Sequence, residues 1–321
     1  MISIISPMYN EELGIKNSVE NMLSKLSKLE DKWEYIVVND GSIDNSLKIV
    51  QDIATSTKNL KIITYSKNRG RGYALRQGFK AAAGDIIITT EADSSWGENI
   101  VFEFLDKFKE DETIDMIIAS PHLKEGGYKN VPLHRILLSS WGNIILRLSV
   151  FGKLTMLSGM CRAYKREVIE SLILENDGKE IHLEIASKAL AIGYKIVEIP
   201  AILEWKKNRQ QEVKKRKSSF NAKKLIISHL MFSFTEAPVL LLGTAGLFFI
   251  FIGLLIGALF FYQYFTNTLN PQRPLVTLMV ILLTVGCQIL LFCFLAHQNK
   301  RNENNIIKLQ SELKRISNSK S

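Results

Sequence analysis

Two long apolar stretches near the end of the chain constrain its fold more than any other feature. No charged residue lies between Ala237 and Gln272 or between Pro274 and Ala296. As a helix rising about 1.5 Å per residue, each stretch is long enough to cross the roughly 30 Å hydrocarbon core of a bilayer. A buried hairpin in a soluble protein is the alternative. Two such runs in succession favour a pair of transmembrane helices.

The positive charge of the chain is concentrated beside these stretches. The net charge is +9, yet nine Lys or Arg against two Glu lie between Glu204 and Lys224, and six against two between Gln298 and Ser321. The positive-inside rule therefore predicts an integral membrane protein whose soluble domain and both termini are cytoplasmic, with the connector 267–274 on the other side. Because the basic residues flank the predicted spans, we do not expect nucleic acid as a partner.

The first ~120 residues alternate short β-rich runs with helical patterns. Strands are predicted at 2–6, 35–38, 60–64 and 86–90, and helices at 15–29, from 45 onward and at 73–83. The run 86–90 is almost continuously apolar, which is typical of a strand covered on both faces. This alternation predicts an α/β fold with a mostly parallel sheet that binds ligands at the carboxyl ends of its strands.

Polar clusters follow the predicted strands at the positions where such a sheet binds ligands. They are Pro7-Met8-Tyr9-Asn10-Glu11-Glu12, Asn39-Asp40-Gly41-Ser42-Ile43-Asp44, Asn68-Arg69-Gly70-Arg71-Gly72 and Glu91-Ala92-Asp93. Each cluster alone is ordinary turn chemistry. Together they place carboxylates and arginines at one edge, as a nucleotide diphosphate and a Mg²⁺ or Mn²⁺ ion require.

Residues 1 to about 297 resemble a family 2 glycosyltransferase of the dolichyl-phosphate mannosyltransferase or polyprenyl-phosphate glycosyltransferase type. The resemblance rests on these four clusters in this order, on the Ser158–Gly159 segment and on the two apolar stretches. The resemblance implies a GT-A (Rossmann-like) fold with helices on both faces of the sheet and a C-terminal transmembrane hairpin. It implies a catalytic domain at 1–219, a juxtamembrane amphipathic helix at 220–236, two spans at 237–297 and a basic tail at 298–321.

The resemblance also implies a reaction, which is inverting transfer of a hexose from a UDP- or GDP-linked sugar to undecaprenyl or dolichyl phosphate in cell-envelope glycan synthesis. A lipid phosphate is already ionised at neutral pH, so it can attack the anomeric carbon without a general base. Transfer to another lipid or glycan acceptor is the alternative, and a non-catalytic membrane scaffold that keeps the fold is another. A processive polysaccharide synthase is disfavoured because the chain lacks a Gln-x-x-Arg-Trp motif.

By the same resemblance, the donor and the metal are assigned to residues of the four clusters. The residues expected to bind the nucleotide sugar are Pro7, Tyr9, Glu11, Asp40, Arg71 and Ala92. Asp93 is expected to be catalytic and the main metal ligand, with Glu91 in support. The sequence departs from the family's usual pattern at three positions, with Glu91 for Asp, Ser95 for Gln and Arg71 for Lys.

The acceptor side of the site is expected from two further segments. The residues assigned to the acceptor phosphate are Ser158, Arg162, Arg216 and Ser218. Arg162, also assigned as catalytic, offers a bidentate fork for a phosphate, and a solvated surface strand is the plainer interpretation. The basic loop around Arg216 also serves as a positive-inside flank. Glu184, at the start of a predicted helix, is either functional or an ordinary first-turn charge.

Three amphipathic segments indicate contacts with membrane or partner. Residues 135–151 are expected either to pack on the sheet or to lie on the bilayer, and 220–234 to lead into the first span. In the tail, Ile306, Leu309, Leu313 and Ile316 share one helical face. That face indicates a surface helix or a homo-oligomer contact.

Overall fold

The computed structural model describes residues 1–93, 95–97, 99–133, 136, 154–205, 242–266 and 274–319. Two compact units make up the chain. The first contains Met1–Ile144, Lys153–Asn221 and Ile307–Ser321, and the second contains Ile145–Gly152 and Ala222–Ile306. The C-terminal stretch Ile307–Ser321 belongs to the first unit.

The first unit is an α/β domain. Its strands and helices are β1 (Ile2–Met8), α1 (Ile15–Leu26), β2 (Trp33–Asp40), α2 (Ser46–Ala54), β3 (Leu60–Tyr65), α3 (Arg71–Ala81), β4 (Ile86–Thr89), α4 (Ile100–Glu110), β5 (Met116–Ser120), β6 (Gly127–Lys129), β7 (Arg162–Lys165), α5 (Arg166–Ser171), α6 (Ile181–Ile192), β8 (Ile196–Pro200) and β9 (Ile202–Glu204). The predicted strands and helices of the first 120 residues are all present, with bounds that differ by a few residues.

A seven-stranded sheet in the order β3-β2-β1-β4-β7-β5-β8 forms the core of this unit. The strands β3, β2, β1 and β4 are mutually parallel, as predicted, and β7 runs antiparallel between β4 and β5. Every residue of β1 except Pro7 is buried, so both faces of the sheet are covered at its centre. The predicted mostly parallel α/β fold is confirmed.

A second, two-stranded sheet pairs β6 with β9 in parallel. The backbone N–H of Glu204 in β9 donates to the carbonyl oxygen of Ser95 at 2.8 Å. The small sheet is thereby bonded to the turn that follows β4.

The second unit contains two apolar helices, α7 (Thr244–Phe265) and α8 (Pro274–Ser319). Both are long and apolar enough to cross a membrane, and only 11% of the most apolar window of each is buried. A core helix of a soluble protein buries most of its surface, whereas these helices turn their apolar side chains outward.

Glycines allow α7 and α8 to approach each other closely. A Cβ atom on Gly286 would lie 2.6 Å from Cγ1 of Ile250, and one on Gly246 would lie 2.9 Å from Cδ2 of Leu290. Small residues at a helix–helix contact let backbones pack tightly where no hydrophobic effect drives association. The two helices therefore form the expected hairpin.

Several predictions lie outside the described residues. They concern the amphipathic segments 135–151 and 220–234, the connector 267–273, and the site residues Arg216 and Ser218. The side of the membrane on which each terminus lies also stays a prediction.

Candidate active site

The four polar clusters meet at one edge of the large sheet. Strand β1 pairs in parallel with β2 and β4, and β2 pairs in parallel with β3. The carboxyl ends of all four strands therefore point the same way, as the sequence predicted, and ligands bind at this end of such sheets.

The loops after β1 and β2 are bonded to each other. The N–H of Asn10 donates to Oγ of Ser42 at 3.0 Å, and the N–H of Ile43 donates to Oδ1 of Asn10 at 2.9 Å. The N–H of Glu11 donates to Oγ of Ser46 at 2.7 Å. Asn10 has a φ of 54°, a left-handed conformation that asparagine tolerates better than most residues. These bonds fix the backbone that carries the predicted nucleotide residues Tyr9 and Glu11.

Asp40 joins the loop after β2 to the loop after β3. Its side chain is 4% exposed. Its Oδ1 accepts a hydrogen bond from the N–H of Arg69 at 2.8 Å, and its Oδ2 accepts from the N–H of Gly70 and from Nδ2 of Asn68, both at 3.0 Å. A carboxylate that accepts backbone N–H bonds holds a loop firmly. Asp40 thus shapes the Gly-Arg-Gly loop, and a contact with the nucleotide would use its remaining acceptor capacity.

The two arginines of that loop have different surroundings. The guanidinium of Arg69 lies 3.8 Å above the ring centre of Tyr73, a cation–π contact. The guanidinium of Arg71 instead lies 3.9 Å from the carboxylate of Glu91, in the turn after β4. Arg71 therefore brings a positive charge next to the predicted metal residues, where a diphosphate would need it.

The turn after β4 presents the carboxylates of Glu91 and Asp93. Oδ1 of Asp93 accepts hydrogen bonds from the N–H of Ser95 at 3.0 Å and from the Ser95 hydroxyl. Ser95 is 1% exposed. The serine that replaces the family's usual glutamine thus orients the carboxylate of Asp93.

The donor set suits a metal ion that is shared with a substrate. Among the described residues, no group of three or more His, Cys, Asp or Glu is arranged to hold a metal ion. Mg²⁺ in phosphate-transfer sites typically takes one or two carboxylates and completes its shell with phosphate oxygens and water. Glu91 and Asp93 match that requirement, so the residues present fit a divalent ion bound together with a diphosphate.

Arg162 does not reach the site edge in the way the sequence suggested. It is fully buried on β7, and its Nε, Nη1 and Nη2 donate to the carbonyl oxygens of Gly159 at 2.8 Å, His182 at 2.7 Å and Leu157. Burial lowers the pKa of its guanidinium below the ordinary value. The predicted phosphate fork is thus engaged with backbone inside the fold. Arg162 shapes the Ser158–Gly159 turn, whose Ser158 is exposed.

Glu184, for which the sequence left two interpretations open, is a buried anchor beside the site. It is 7% exposed, and its carboxylate accepts from the N–H groups of Glu175 and Asn176 at 3.0 Å and from Nζ of Lys188 at 2.7 Å. Burial alone would raise its pKa, but the hydrogen bonds from Lys188 and from the 175–176 backbone hold the pKa below its ordinary value.

The segment that Glu184 holds reaches the Gly-Arg-Gly loop. The carbonyl oxygen of Asp177 accepts a hydrogen bond from the N–H of Gly72 at 2.7 Å, at the start of α3. A Cβ atom on Gly70 would lie 2.5 Å from that same oxygen, so this close approach requires glycine. Sequence reasoning missed the 175–177 segment, because no local motif marks a loop that caps a distant helix.

Glu198 on β8 is a second anchor that sequence reasoning missed. Its carboxylate accepts from the N–H of Thr155 at 2.8 Å and from the N–H of Met156 at 2.7 Å. It therefore positions the segment that leads into Ser158. One signal in the sequence could have indicated it, since Glu198 is the single acidic residue of the otherwise apolar strand β8.

Comparison with known proteins identifies the family to which this site belongs. Residues 3–173 match the model of glycosyl transferase family 2. The chain belongs to that family. It is a glycosyltransferase, and the resemblance proposed from the sequence is confirmed.

Three relatives of the chain carry glycosyltransferase or sugar-transferase names, and one of these names includes undecaprenyl phosphate. The chain is 27% identical over 255 residues to the undecaprenyl-phosphate 4-deoxy-4-formamido-L-arabinose transferase of Proteus mirabilis, covering 76% of this chain and 71% of the relative. It is 26% identical over 294 residues to a putative glycosyltransferase, CsbB, of Bacillus subtilis, covering 90% and 84%. An uncharacterized glycosyltransferase of Synechocystis is 34% identical over 125 residues, which is 39% of either chain.

Solved structures of the same fold include glucosyl-3-phosphoglycerate synthase from Mycobacterium tuberculosis. Its complex with UDP matches with a TM-score of 0.53 at 19% identity, covering 73% of this chain and 80% of that one. Its complex with Mn²⁺, UDP and phosphoglyceric acid matches with a TM-score of 0.51 at 17% identity, covering 71% and 78%. At this identity the likeness shows the fold alone, and it confirms the GT-A fold.

Proposed function

We propose that this protein transfers a hexose, with inversion, from a UDP- or GDP-linked sugar to a polyprenyl phosphate such as undecaprenyl or dolichyl phosphate. The proposal rests on two features that occur together in this chain. One edge of the sheet carries Arg71, Glu91 and Asp93, and two helices expose their apolar side chains. The first feature suits a nucleotide diphosphate, and the second suits a protein whose acceptor is dissolved in the bilayer. The named activity of the Proteus relative supports the same acceptor class.

The chemistry requires one displacement at the anomeric carbon. An oxygen of the lipid phosphate forms a bond to that carbon while the bond to the nucleotide diphosphate breaks, and the electron pair leaves with the diphosphate. The phosphate is already ionised, so no proton has to be removed and the site needs no general base. Attack from the face opposite the leaving group inverts the anomeric centre.

The chain's own residues bind the donor and compensate its charge. Tyr9, Glu11 and Asp40, with Pro7 and Ala92, hold the nucleotide at the bonded loops, and Arg71 lies where the diphosphate leaves. Glu91 and Asp93 would hold a Mg²⁺ or Mn²⁺, and such an ion would supply positive charge to compensate the leaving diphosphate. Ser95 keeps the carboxylate of Asp93 turned in one direction, so little reorganisation is needed during the reaction.

On the acceptor side, the proposal assigns the lipid phosphate to Ser158, Arg216 and Ser218. It also places the catalytic domain and both termini in the cytoplasm. Arg162 acts through the turn that carries Ser158. Arg216 and Ser218 belong to the basic stretch of the sequence that precedes the first apolar helix, and a basic stretch beside a membrane segment attracts lipid phosphates.

The test uses the full-length protein in lipid nanodiscs with a panel of radiolabelled UDP- and GDP-sugars. Polyprenyl phosphate is compared with the matching polyprenol, which lacks the phosphate, and with a soluble phosphate acceptor. We expect label to enter the lipid phase only with polyprenyl phosphate. Transfer to the polyprenol or to the soluble acceptor, with none to polyprenyl phosphate, would contradict the assignment.

A variant at Arg216 examines the acceptor contact. We expect Arg216→Ala to lower kcat/KM for polyprenyl phosphate by about ten- to a hundredfold, the loss of one charge-assisted contact, without changing donor affinity. Arg216→Lys should restore part of the activity, because an ammonium keeps the charge but not the planar fork. Arg209→Ala in the same basic segment is the matched control. Equal losses at both positions would reduce Arg216 to general membrane-flanking charge.

A further inference from the structure

The C-terminal part of α8 is attached to the first unit by one face. Ser311 is 2% exposed there. Nζ of Lys314 donates to the carbonyl oxygen of Leu172 at 2.8 Å, and Nη2 of Arg315 donates to the hydroxyl of Tyr194 at 2.5 Å. These contacts, all within the first unit, show which face of the segment from Ile307 onward packs on the domain.

That other face carries an exposed apolar stripe. Ile306, Leu309 and Leu313 are 53%, 59% and 67% exposed. They are spaced by three and then four residues, the repeat of positions a and d in a coiled coil. Asn302 and Asn299 continue the same spacing towards the apolar part of the helix and are also exposed. We call these five residues the tail seam.

We propose that the tail seam packs against the tail seam of a second copy of this chain, parallel and in register. Copies of one chain insert into a membrane in the same orientation, so their tails run side by side in the same direction whichever side they occupy. Parallel pairing sets each seam residue opposite its own equivalent. Asparagine at an a position, here Asn299, favours two strands and fixes their register at some loss of stability.

The charges beside the seam are compatible with this pairing. In a parallel pair, residues at g positions face the e position five residues later in the partner helix. This pairs Asn305 with Gln310 and Glu312 with Ser317, so no like charges face each other. The basic residues of the segment, among them Lys308 and Lys314, lie at the b and c positions, away from the seam.

The tail seam is short, so two copies are expected to pair through it only where their helices are kept close together. Two heptads bury less than the roughly 1,000 Å² expected of a stable interface, and short helices pair weakly in free solution. Anchoring both helices in one bilayer raises their effective concentration. Pairing is therefore expected for the full chain in a membrane.

The experiment is cysteine cross-linking of the full-length protein in native membranes, in a Cys287→Ala background because Cys287 is exposed. We expect Leu309→Cys and Leu313→Cys to form a reducible species of doubled mass on mild oxidation. Lys308→Cys, an exposed position on the same turn but off the seam, is the matched control and should stay monomeric. In nanodiscs, Leu309→Glu should shift the particle mass from dimer to monomer without lowering the thermal midpoint, since the side chain is already exposed.

Two results would overturn the proposal. One is cross-linking at Leu309→Cys no stronger than at Lys308→Cys, which would mean that another part of the same chain or bulk solvent meets the seam. The other is a particle mass in nanodiscs that Leu309→Glu leaves unchanged. Neither result bears on sugar transfer, so the proposed function stands or falls separately.

Discussion

The loops that follow β1, β2 and β3 are bonded to one another, whereas the bonds described for Asp93 after β4 come from within its own turn. Asp40 accepts from residues of the next loop, and Asn10 exchanges bonds with the loop after β2. Asp93 accepts from Ser95, two residues away. The loops proposed to bind the nucleotide are thus held together by contacts distant in sequence, whereas the Asp93 carboxylate, the proposed main metal ligand, is oriented by a residue of its own turn.

Two glycines, one in the loop after β2 and one in the turn after β4, differ in how closely other atoms surround them. Gly41 and Gly97 have similar positive φ angles of 67° and 74°. A Cβ on Gly41 would lie 2.5 Å from the backbone nitrogen of Asn68, whereas one on Gly97 would meet nothing within 4 Å. The loop after β2 is therefore crowded at Gly41 as well as bonded, whereas the space beside Gly97 in the turn after β4 is open.

The largest effect is expected from Asp93→Asn, which removes a carboxylate of the local turn. We expect transfer to fall by at least about a hundredfold, because the charge that develops on the leaving diphosphate loses its main compensation. The thermal midpoint should change little, since asparagine keeps the Oδ1 acceptor that takes the hydrogen bonds from Ser95. Turnover is measured at limiting Mg²⁺ or Mn²⁺.

Asp106→Asn, on the exposed side of α4, is the matched control for Asp93→Asn. Near-normal turnover of Asp93→Asn at limiting metal would show that the metal assignment is wrong.

Asp40→Ala should produce the opposite pattern, with stability affected more than chemistry. The N–H groups of Arg69 and Gly70 lose their acceptor, and we expect the free energy of unfolding to fall by about 3 kcal/mol. The KM for the nucleotide sugar should rise because the Gly-Arg-Gly loop loosens. Urea unfolding and donor titration measure the two effects, with exposed Asp52→Ala as control. If Asp40→Ala were as stable as Asp52→Ala, the hydrogen bonds of Asp40 would not stabilise the loops, and the contrast with Asp93 would fail.

Gly41→Ala and Gly97→Ala separate crowding from backbone strain. Both substitutions force alanine into a left-handed conformation, which costs about 1 kcal/mol. Only Gly41→Ala also meets backbone, so we expect a total loss of about 2 kcal/mol there. Equal losses in the free energy of unfolding at the two positions would mean that the backbone around Gly41 shifts to accommodate a Cβ atom at no extra cost.

The smallest effect is expected from Glu184→Gln, and it depends on pH. The pKa of Glu184 is held below its ordinary value of 4.5. Its ionised form therefore stabilises the fold above about pH 4.5, and that contribution is lost as the pH falls through the lower folded pKa. Glutamine keeps one acceptor oxygen, so the loss at pH 7 should be about 1 kcal/mol.

Unfolding of wild type and Glu184→Gln at pH 7 and pH 4 measures this dependence. The difference between the two proteins should shrink at the lower pH. The exposed Glu180→Gln should show no such dependence. If the difference in unfolding free energy between wild type and Glu184→Gln were the same at both pH values, the negative charge of Glu184 would not be what stabilises the fold.

Much of this arrangement could be predicted from the sequence because it follows from local patterns. Apolar runs such as Ile86–Thr89 identified the central strands, and parallel strands bring their carboxyl ends together, so Asp40, Arg71 and Asp93 were assigned to one edge. The hairpin followed from length and lack of charge.

What the sequence did not reveal depends on contacts between distant residues. The antiparallel position of β7 is set by pairing with β4 and β5, neither of which is adjacent to it in the chain. Arginine usually signals solvent or ligand, and only the fold shows that carbonyl oxygens compensate the burial of Arg162. The link from Glu184 through Asp177 to Gly72 likewise spans more than a hundred residues.

The contacts of Lys314 and Arg315 also affect how the protein is made. The first compact unit is interrupted after Asn221 and resumes at Ile307, so α7 and most of α8 lie in sequence between two parts of that unit. During synthesis the sheet emerges first and its last helical segment only after both apolar helices. The domain is completed when the tail returns to Leu172 and Tyr194. A ribosome must therefore deliver both apolar helices before the soluble fold acquires its final contacts, which makes closure of that fold a late step of biogenesis.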